Sequence, residues 1–98
     1  MTYKYNFYSD AAHGWLRVLS QEIADLGLVD AISPYSYFSP NGKYIYLEED
    51  SDATKFIDAY TLKYNEVPEF NYKYSERSAI RNYPGYYADY MIRFSDRA

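Results

Sequence analysis

Positions 35–47 read YSYFSPNGKYIYL, and this stretch decides the fold. Two runs with alternating aromatic residues flank the dipeptide Asn41-Gly42. An Asn-Gly pair between two such runs is a strong signature of a β-hairpin, because both residues tolerate the positive φ angles of a tight turn. The stretch therefore predicts two antiparallel strands, and the rest of the chain can be arranged around them.

Tyrosine fills 15 of the 98 positions, and eight of these residues form pairs spaced by two. The pairs are Tyr3 with Tyr5, Tyr35 with Tyr37, Tyr44 with Tyr46, and Tyr72 with Tyr74. Side chains two apart lie on the same face of a strand, so the pattern predicts rows of phenol rings. On the second hairpin strand we expect Ile45 and Leu47 to face the helices and the tyrosines to point away. Such rows are typical of half-buried or interface surfaces, because a buried phenol needs a hydrogen-bond partner.

Helices and further strands are predicted on both sides of the hairpin. They are strands at 1–8 and 15–19, a helix at 21–26, a second helix at 53–65, a strand at 69–75 and a short helix at 87–94. Ser20 is expected to cap the first helix and Gly27 to end it.

The element order is βαββαβ with extensions at both ends. It predicts one α+β domain over residues 1–98: a small antiparallel sheet with two helices on one face, of the split βαβ kind, plus an N-terminal strand and a C-terminal extension. The aromatic face of the sheet would then be open, or covered by the extensions or a second subunit. Because such a face on a small domain favours pairing, we predict a homodimer.

The composition restricts the chemistry that is available to the chain. It has no cysteine, which excludes disulfides and cysteine-based zinc sites, and its single histidine cannot build a multi-histidine metal site. We therefore predict no metal and no cofactor. The first residues lack the apolar core of a signal peptide, and no run approaches the roughly 18 apolar residues of a membrane span. We expect a soluble protein of the bacterial cytoplasm with no membrane partner.

The net charge of −4 is unevenly distributed. Residues 20–69 hold ten carboxylates against three lysines, whereas residues 70–98 hold five basic residues against three acidic ones. A nucleic-acid backbone requires a positive footprint, so the charge argues against nucleic-acid binding. The acidic middle of the chain suits a partner with a basic patch.

The strongest acidic run lies between the hairpin and the second helix. Its carboxylates are Glu48, Glu49, Asp50 and Asp52. The run is no calcium-binding EF-hand loop, because it lacks the glycine at loop position 6 and the glutamate at position 12. We interpret it as a helix start, capped by Ser51 or Asp52, that also offers an acidic docking patch.

Two further groups of residues are candidate site residues. His13 and Trp15 form a structural corner around a glycine, with Asp10 close enough to orient the imidazole ring. Arg77 and Arg81 are spaced by four, so together they would bind a phosphate, a partner carboxylate or the acidic run of this same chain. Pairing with the acidic run is the interpretation we favour.

Several segments together carry a resemblance. They are FYSD at 7–10, HGWL at 13–16, IS at 32–33, YSY at 35–37, YLEED at 46–50 with Asp52, and IR at 80–81 with Tyr83. On these segments the chain resembles a family of small proteins of unassigned function encoded by bacteriophages, prophages and plasmids. It departs from the family pattern at Ser51, where a cysteine is expected, and in a longer hairpin. The resemblance implies a mobile-element setting but no activity.

These observations favour a small phage or mobile-element accessory protein that is not an enzyme. It would bind and modulate a host or defence protein through its acidic, tyrosine-rich surface. The alternative is a binder of RNA or single-stranded DNA that stacks bases on the tyrosine rows. Its basic contacts would be Arg77, Arg81, Arg93 and Arg97. A third hypothesis, a small enzyme centred on His13 and the acidic run, requires those groups to share a cleft.

Overall fold

The predicted hairpin is present and forms one side of a five-stranded sheet. The structure, a computed structural model, describes residues 4–95 of the chain. Its strands are β1 (Lys4–Ser9), β2 (Gly14–Leu19), β3 (Tyr37–Phe38), β4 (Tyr44–Glu48) and β5 (Glu69–Tyr74). Its helices are α1 (Ser20–Asp25), α2 (Asp52–Tyr64) and α3 (Ile92–Ser95), and two 3₁₀ turns cover Ala79–Asn82 and Ala88–Met91. The predicted roles of Tyr3 and Arg97 fall outside the described residues.

The strands lie in the order β3-β4-β2-β1-β5. Every neighbouring pair is antiparallel except β1 and β5, which run parallel. Two split βαβ units, β2-α1-β3 and β4-α2-β5, give the sheet its order. The α+β fold predicted from the sequence is therefore confirmed, and the N-terminal strand lies between β2 and β5.

The helices pack on one face of the sheet, as predicted. Alternation along β2 and β4 turns Leu16, Ile45 and Leu47 toward them, and all three side chains are fully buried. Phe56 of α2 and Met91 of the second 3₁₀ turn belong to the same core. Burying one such side chain stabilises the fold by about 2 kcal/mol, so this core determines which face of each strand points inward.

Ser20 has a different role from the predicted one. Helix α1 begins at Ser20, so Leu19 is its N-cap, and Glu22 Oε1 accepts the Leu19 amide at 2.9 Å. The buried Ser20 hydroxyl instead donates to the carbonyl of Gly42 at 2.7 Å. The cap prediction was wrong because this hydroxyl satisfies a hairpin carbonyl that is shielded from water.

The longest helix is α2, with 13 residues. Within residues 4–95, no helix combines the length and the apolar character that crossing a membrane requires.

Candidate binding cleft

The sheet face opposite the helices carries aromatic side chains, but the C-terminal segment covers part of it. Trp15, Tyr46 and Ile80 form a buried cluster there, and Ile80 belongs to the 3₁₀ turn Ala79–Asn82. Tyr83 follows that turn, and its ring centroid lies 5.5 Å from that of Tyr46. Tyr46 is consequently only 9% exposed, and its burial raises its pKa. Its predicted role as a docking residue is therefore corrected.

Next to this cluster, four segments converge on a cleft of about 510 Å³. They are the β1–β2 loop, the turn at 33–36, the β4–α2 loop and the 3₁₀ turn Ala79–Asn82. The cleft is lined by His13, Trp15, Tyr35, Tyr37, Glu48, Asp50, Ser51 and Arg81. All of these except Ser51 are predicted docking or corner residues, so the fold gathers most of the predicted site into one place.

Trp15 lies at the centre of the aromatic wall of the cleft. It is 2% exposed, and its position opposite Glu48 in the β2–β4 ladder sets it next to the acidic loop. Its ring centroid lies 6.4 Å from that of Tyr37 and 6.0 Å from that of His13. The Arg81 guanidinium carbon lies 5.7 Å from the indole centroid. These contacts pack the indole on several sides, so it needs little reordering when a ligand binds.

Arg81 is held by Asp10, which corrects its predicted pairing with the acidic run. Its Nε and Nη2 atoms donate to the two carboxylate oxygens of Asp10 at 2.7 and 3.0 Å. Asp10 Oδ1 also accepts the amides of Ala12 and His13. The Arg81 contact, with these amides, holds the pKa of Asp10 well below its usual range. The loop thus presents a fixed carboxylate to Arg81, and Asp10 holds the His13 backbone rather than its ring.

Glu48 and Asp50 form the acidic wall. Glu48 Oε1 accepts hydrogen bonds from the Asp50 amide and from the Ser51 amide and hydroxyl, each at 3.0 Å. Asp50 and its neighbour Glu49 are exposed, and Glu49 does not line the cleft. Within residues 4–95, none of these three carboxylates forms an ion pair. The wall therefore keeps its negative charge.

Asp52 is not part of this surface, contrary to the prediction. Its side chain is fully buried and accepts hydrogen bonds from Ser33, Ser36 and Lys55. Burial on its own would raise the pKa of Asp52, but the hydrogen bonds from Ser33 and Ser36, with that from Lys55, outweigh it and lower the pKa. The first turn of α2 points this carboxylate inward, so Asp52 joins α2 to the 33–36 turn and cannot contact a partner.

The same turn explains why Tyr35 and Tyr37 do not form a strand row. The Ser36 hydroxyl accepts the amide of Glu48 at 2.9 Å, and the Tyr35 amide donates to the Ser33 hydroxyl at 3.2 Å. These contacts bend the chain, so β3 starts only at Tyr37. Tyr35 is 70% exposed at the cleft rim.

Tyr44 and Arg77 lie outside the cleft. Tyr44 is half-buried, with the Arg17 guanidinium carbon 4.4 Å from its ring centroid. Arg77 is exposed and lines a second depression, which Asp10 and Arg81 also line. The two arginines therefore line one depression, in which the Arg81 guanidinium is already bound to Asp10.

Sequence reasoning missed two features of this region. Asp10 was not identified as the partner of Arg81, because 71 residues separate the two and no local pattern connects them. The exposure of the tyrosine row on β5 was also missed, although the pair itself was predicted: Tyr72 and Tyr74 are 76% and 64% exposed. The charges of Glu69 and Lys73 on the same strand, which suit a solvent-facing edge, were the available signal.

Within the described residues, no group of three or more histidine and carboxylate side chains is arranged to hold a metal ion. Comparison of the chain with protein-family models, with curated proteins and with solved structures found no match.

Proposed function

We propose that this protein is a non-enzymatic binding module whose cleft receives an arginine or lysine side chain from a partner protein. The resemblance to phage, prophage and plasmid proteins supports a partner from the host cell or its defence systems. Binding there would block or modulate that partner.

The observation that carries this proposal is that the positive charge of the cleft is neutralised, whereas its negative charges are not. Arg81 is bound by Asp10 through two hydrogen bonds, whereas Glu48 and Asp50 have no cationic partner within residues 4–95. The charge that remains is therefore negative. It lies in the same cleft as the rings of Tyr35 and Tyr37, and a cation gains from both carboxylates and accessible aromatic faces.

The cleft is better suited to binding than to catalysis. The Ser51 hydroxyl donates to Glu48, and the contact of the His13 ring found within the described residues is with Trp15. A serine or carboxylate that a histidine activates must lie within hydrogen-bond distance of it. His13, Glu48 and Asp50 do share the cleft, but they are not arranged as a nucleophile and its base.

The nucleic-acid alternative has weaker support. Arg81 is bound to Asp10, and Arg93 lies over the Tyr90 ring with its guanidinium carbon 4.2 Å from the centroid. These two arginines are therefore already engaged by other side chains of this protein, which leaves less positive charge for a nucleic-acid backbone.

Capture from host-cell extract with matched variants tests the proposal. The variant Glu48→Gln/Asp50→Asn removes both charges, while the glutamine amide oxygen still accepts the bonds that shape the loop. Asp58→Asn is the control, because Asp58 is exposed on α2, on the opposite side of the sheet. We expect the wild type and the control to retain one stoichiometric partner at low salt, and the double variant to lose it. Capture that is equally strong with all three proteins would contradict the proposal.

A further inference from the structure

The two edges of the sheet differ in how they are covered. At one edge, β3 is two residues long, and the 84–86 segment lies against it. Phe38 donates its amide to the Pro84 carbonyl, and Tyr86 donates its amide to the Ser36 carbonyl, each at 2.8 Å. At the other edge, β5 has six residues and pairs only with β1 among the described strands.

The backbone of β5 shows which groups are free for a further strand. Ser75 donates its amide to the Ser9 carbonyl at 2.9 Å, so the odd-numbered positions of β5 direct their backbone groups toward β1. Because these groups alternate along a strand, Phe70, Tyr72 and Tyr74 direct their N–H and C=O groups outward. An open edge of this length is a template for strand addition.

Exposed apolar side chains concentrate at this edge and in the segment that leads to it. Within residues 4–95, nine large apolar side chains are exposed, and five of them fall between positions 62 and 74. They are Leu62, Tyr64, Val67, Tyr72 and Tyr74. Exposed apolar side chains on an open strand edge and in the segment that leads to it are typical of an interface.

We propose that the occupant of this edge is a second copy of the chain, with β5 paired antiparallel to β5 of its partner around a two-fold axis at Asn71. In this register Glu69 lies opposite Lys73 of the second copy, and Lys73 lies opposite its Glu69. Phe70 pairs with Tyr72. The symmetry therefore produces two cross-strand ion pairs from one sequence, which a strand of arbitrary composition would not supply.

The register also agrees with the backbone pattern. Phe70 and Tyr72 have outward backbone groups, so they form the hydrogen-bonded pairs, whereas Asn71 faces Asn71 of the second copy in a non-hydrogen-bonded pair. Two sheets of five strands would join into one sheet of ten. The interface lies at β5 and not on the aromatic face expected from the sequence, because Tyr46 on that face is already covered.

Charge reversal tests the register without altering the core. Glu69→Lys alone, or Lys73→Glu alone, sets like charges opposite each other, and each is expected to raise the dimer dissociation constant about tenfold in sedimentation equilibrium. The double variant Glu69→Lys/Lys73→Glu restores both pairs and should return to the wild-type value. Glu76→Lys is the control for the change in charge, because Glu76 is exposed and lies beyond the end of β5.

Cysteine cross-linking provides a second measurement, since the chain has no cysteine of its own. Opposed Cα atoms in a non-hydrogen-bonded pair are about 4.5 Å apart, which a disulfide can span. Asn71→Cys should therefore form a covalent dimer under mild oxidation, and Tyr72→Cys should not. A wild type that stays monomeric at millimolar concentration would overturn the proposal. So would single reversals that leave the dimer unchanged, or cross-linking at 72 but not at 71.

Discussion

Asp52 shows how one side chain determines local structure in this protein. A fully buried carboxylate accepts hydrogen bonds from the amide and hydroxyl of Ser33 and from the hydroxyl of Ser36, and it also contacts Lys55. Hydrogen bonds to a charged group are stronger than those between neutral groups. The contacts join the start of α2 to the turn that precedes β3, and they set Tyr35 at the cleft rim.

Asp52→Asn should destabilise the fold by about 2–3 kcal/mol, because the amide group is neutral and leaves a buried donor without an acceptor. Asp58→Asn, on the exposed side of the same helix, should change the free energy of unfolding by less than about 0.5 kcal/mol. Urea denaturation of both variants measures the difference. Equal stability of the two variants would show that the Asp52 contacts have no net effect.

The sequence alone could not identify the hydrogen-bond partners of individual residues. Asp52 reads as a helix cap and Arg81 as a partner of the acidic run, because both patterns are local. The two serines that Asp52 binds lie 16 and 19 residues away, and the partner of Arg81 lies 71 residues away. A composition of several serines and carboxylates allows many such pairings, and only the folded chain selects among them.

At the scale of elements, local signals were reliable wherever the backbone itself required a residue type. The hairpin turn is one example: Gly42 has a φ angle of 74°, and its amide donates to the Ser39 carbonyl at 2.8 Å. Asn41 does not have a positive φ angle, and its Oδ1 instead accepts the Lys43 amide. Alternation also assigned the buried face of β4 correctly. It failed at Tyr35, because side-chain hydrogen bonds ended the strand before the aromatic pattern did.

Two glycines allow the cost of backbone strain to be distinguished from the cost of a steric clash. Gly42 and Gly27 both have positive φ angles, 74° and 70°. A Cβ atom at Gly42 would lie 1.8 Å from the Tyr90 hydroxyl oxygen and 2.6 Å from its Cζ, whereas one at Gly27 meets nothing within 4 Å. Gly27→Ala should therefore destabilise the fold by only about 1 kcal/mol, the cost of holding alanine in a left-handed backbone conformation.

Gly42→Ala should cost more, about 2–4 kcal/mol, because the Tyr90 ring packs 4.7 Å from Phe38 between centroids and must move. Thermal unfolding of the two alanine variants, scanned under identical conditions, measures the difference. Equal losses of stability in the two variants would mean that the Tyr90 ring moves aside freely and does not stabilise the hairpin.

At the scale of the whole molecule, the sheet order separates the two surfaces that we assign. The cleft lies at β2, β4 and the start of β3, whereas the proposed dimer edge is β5 at the other side of the sheet. A dimer through β5 would therefore leave both clefts open. Two clefts on one rigid dimer would strengthen binding to any partner that presents two basic sites at the matching distance.

This arrangement also shows what the sequence could establish about the site. Residue types and charge predicted an acidic, aromatic surface, and most of the predicted residues do line one cleft. Composition could not show that the 79–83 segment covers Tyr46 or that α2 turns Asp52 inward, since both follow from how the C-terminal segment and the helix pack on the sheet.

The most direct test of the central claim uses the only tryptophan of the chain, which lines the cleft. Trp15 emission is followed while a short glycine-serine peptide with one central arginine is added, and then with the same peptide carrying neutral citrulline. We predict a saturable change for the arginine peptide, with affinity lowered about tenfold in Glu48→Gln/Asp50→Asn and little change for citrulline. An identical response to both peptides, or no response to either at millimolar concentration, would contradict the account.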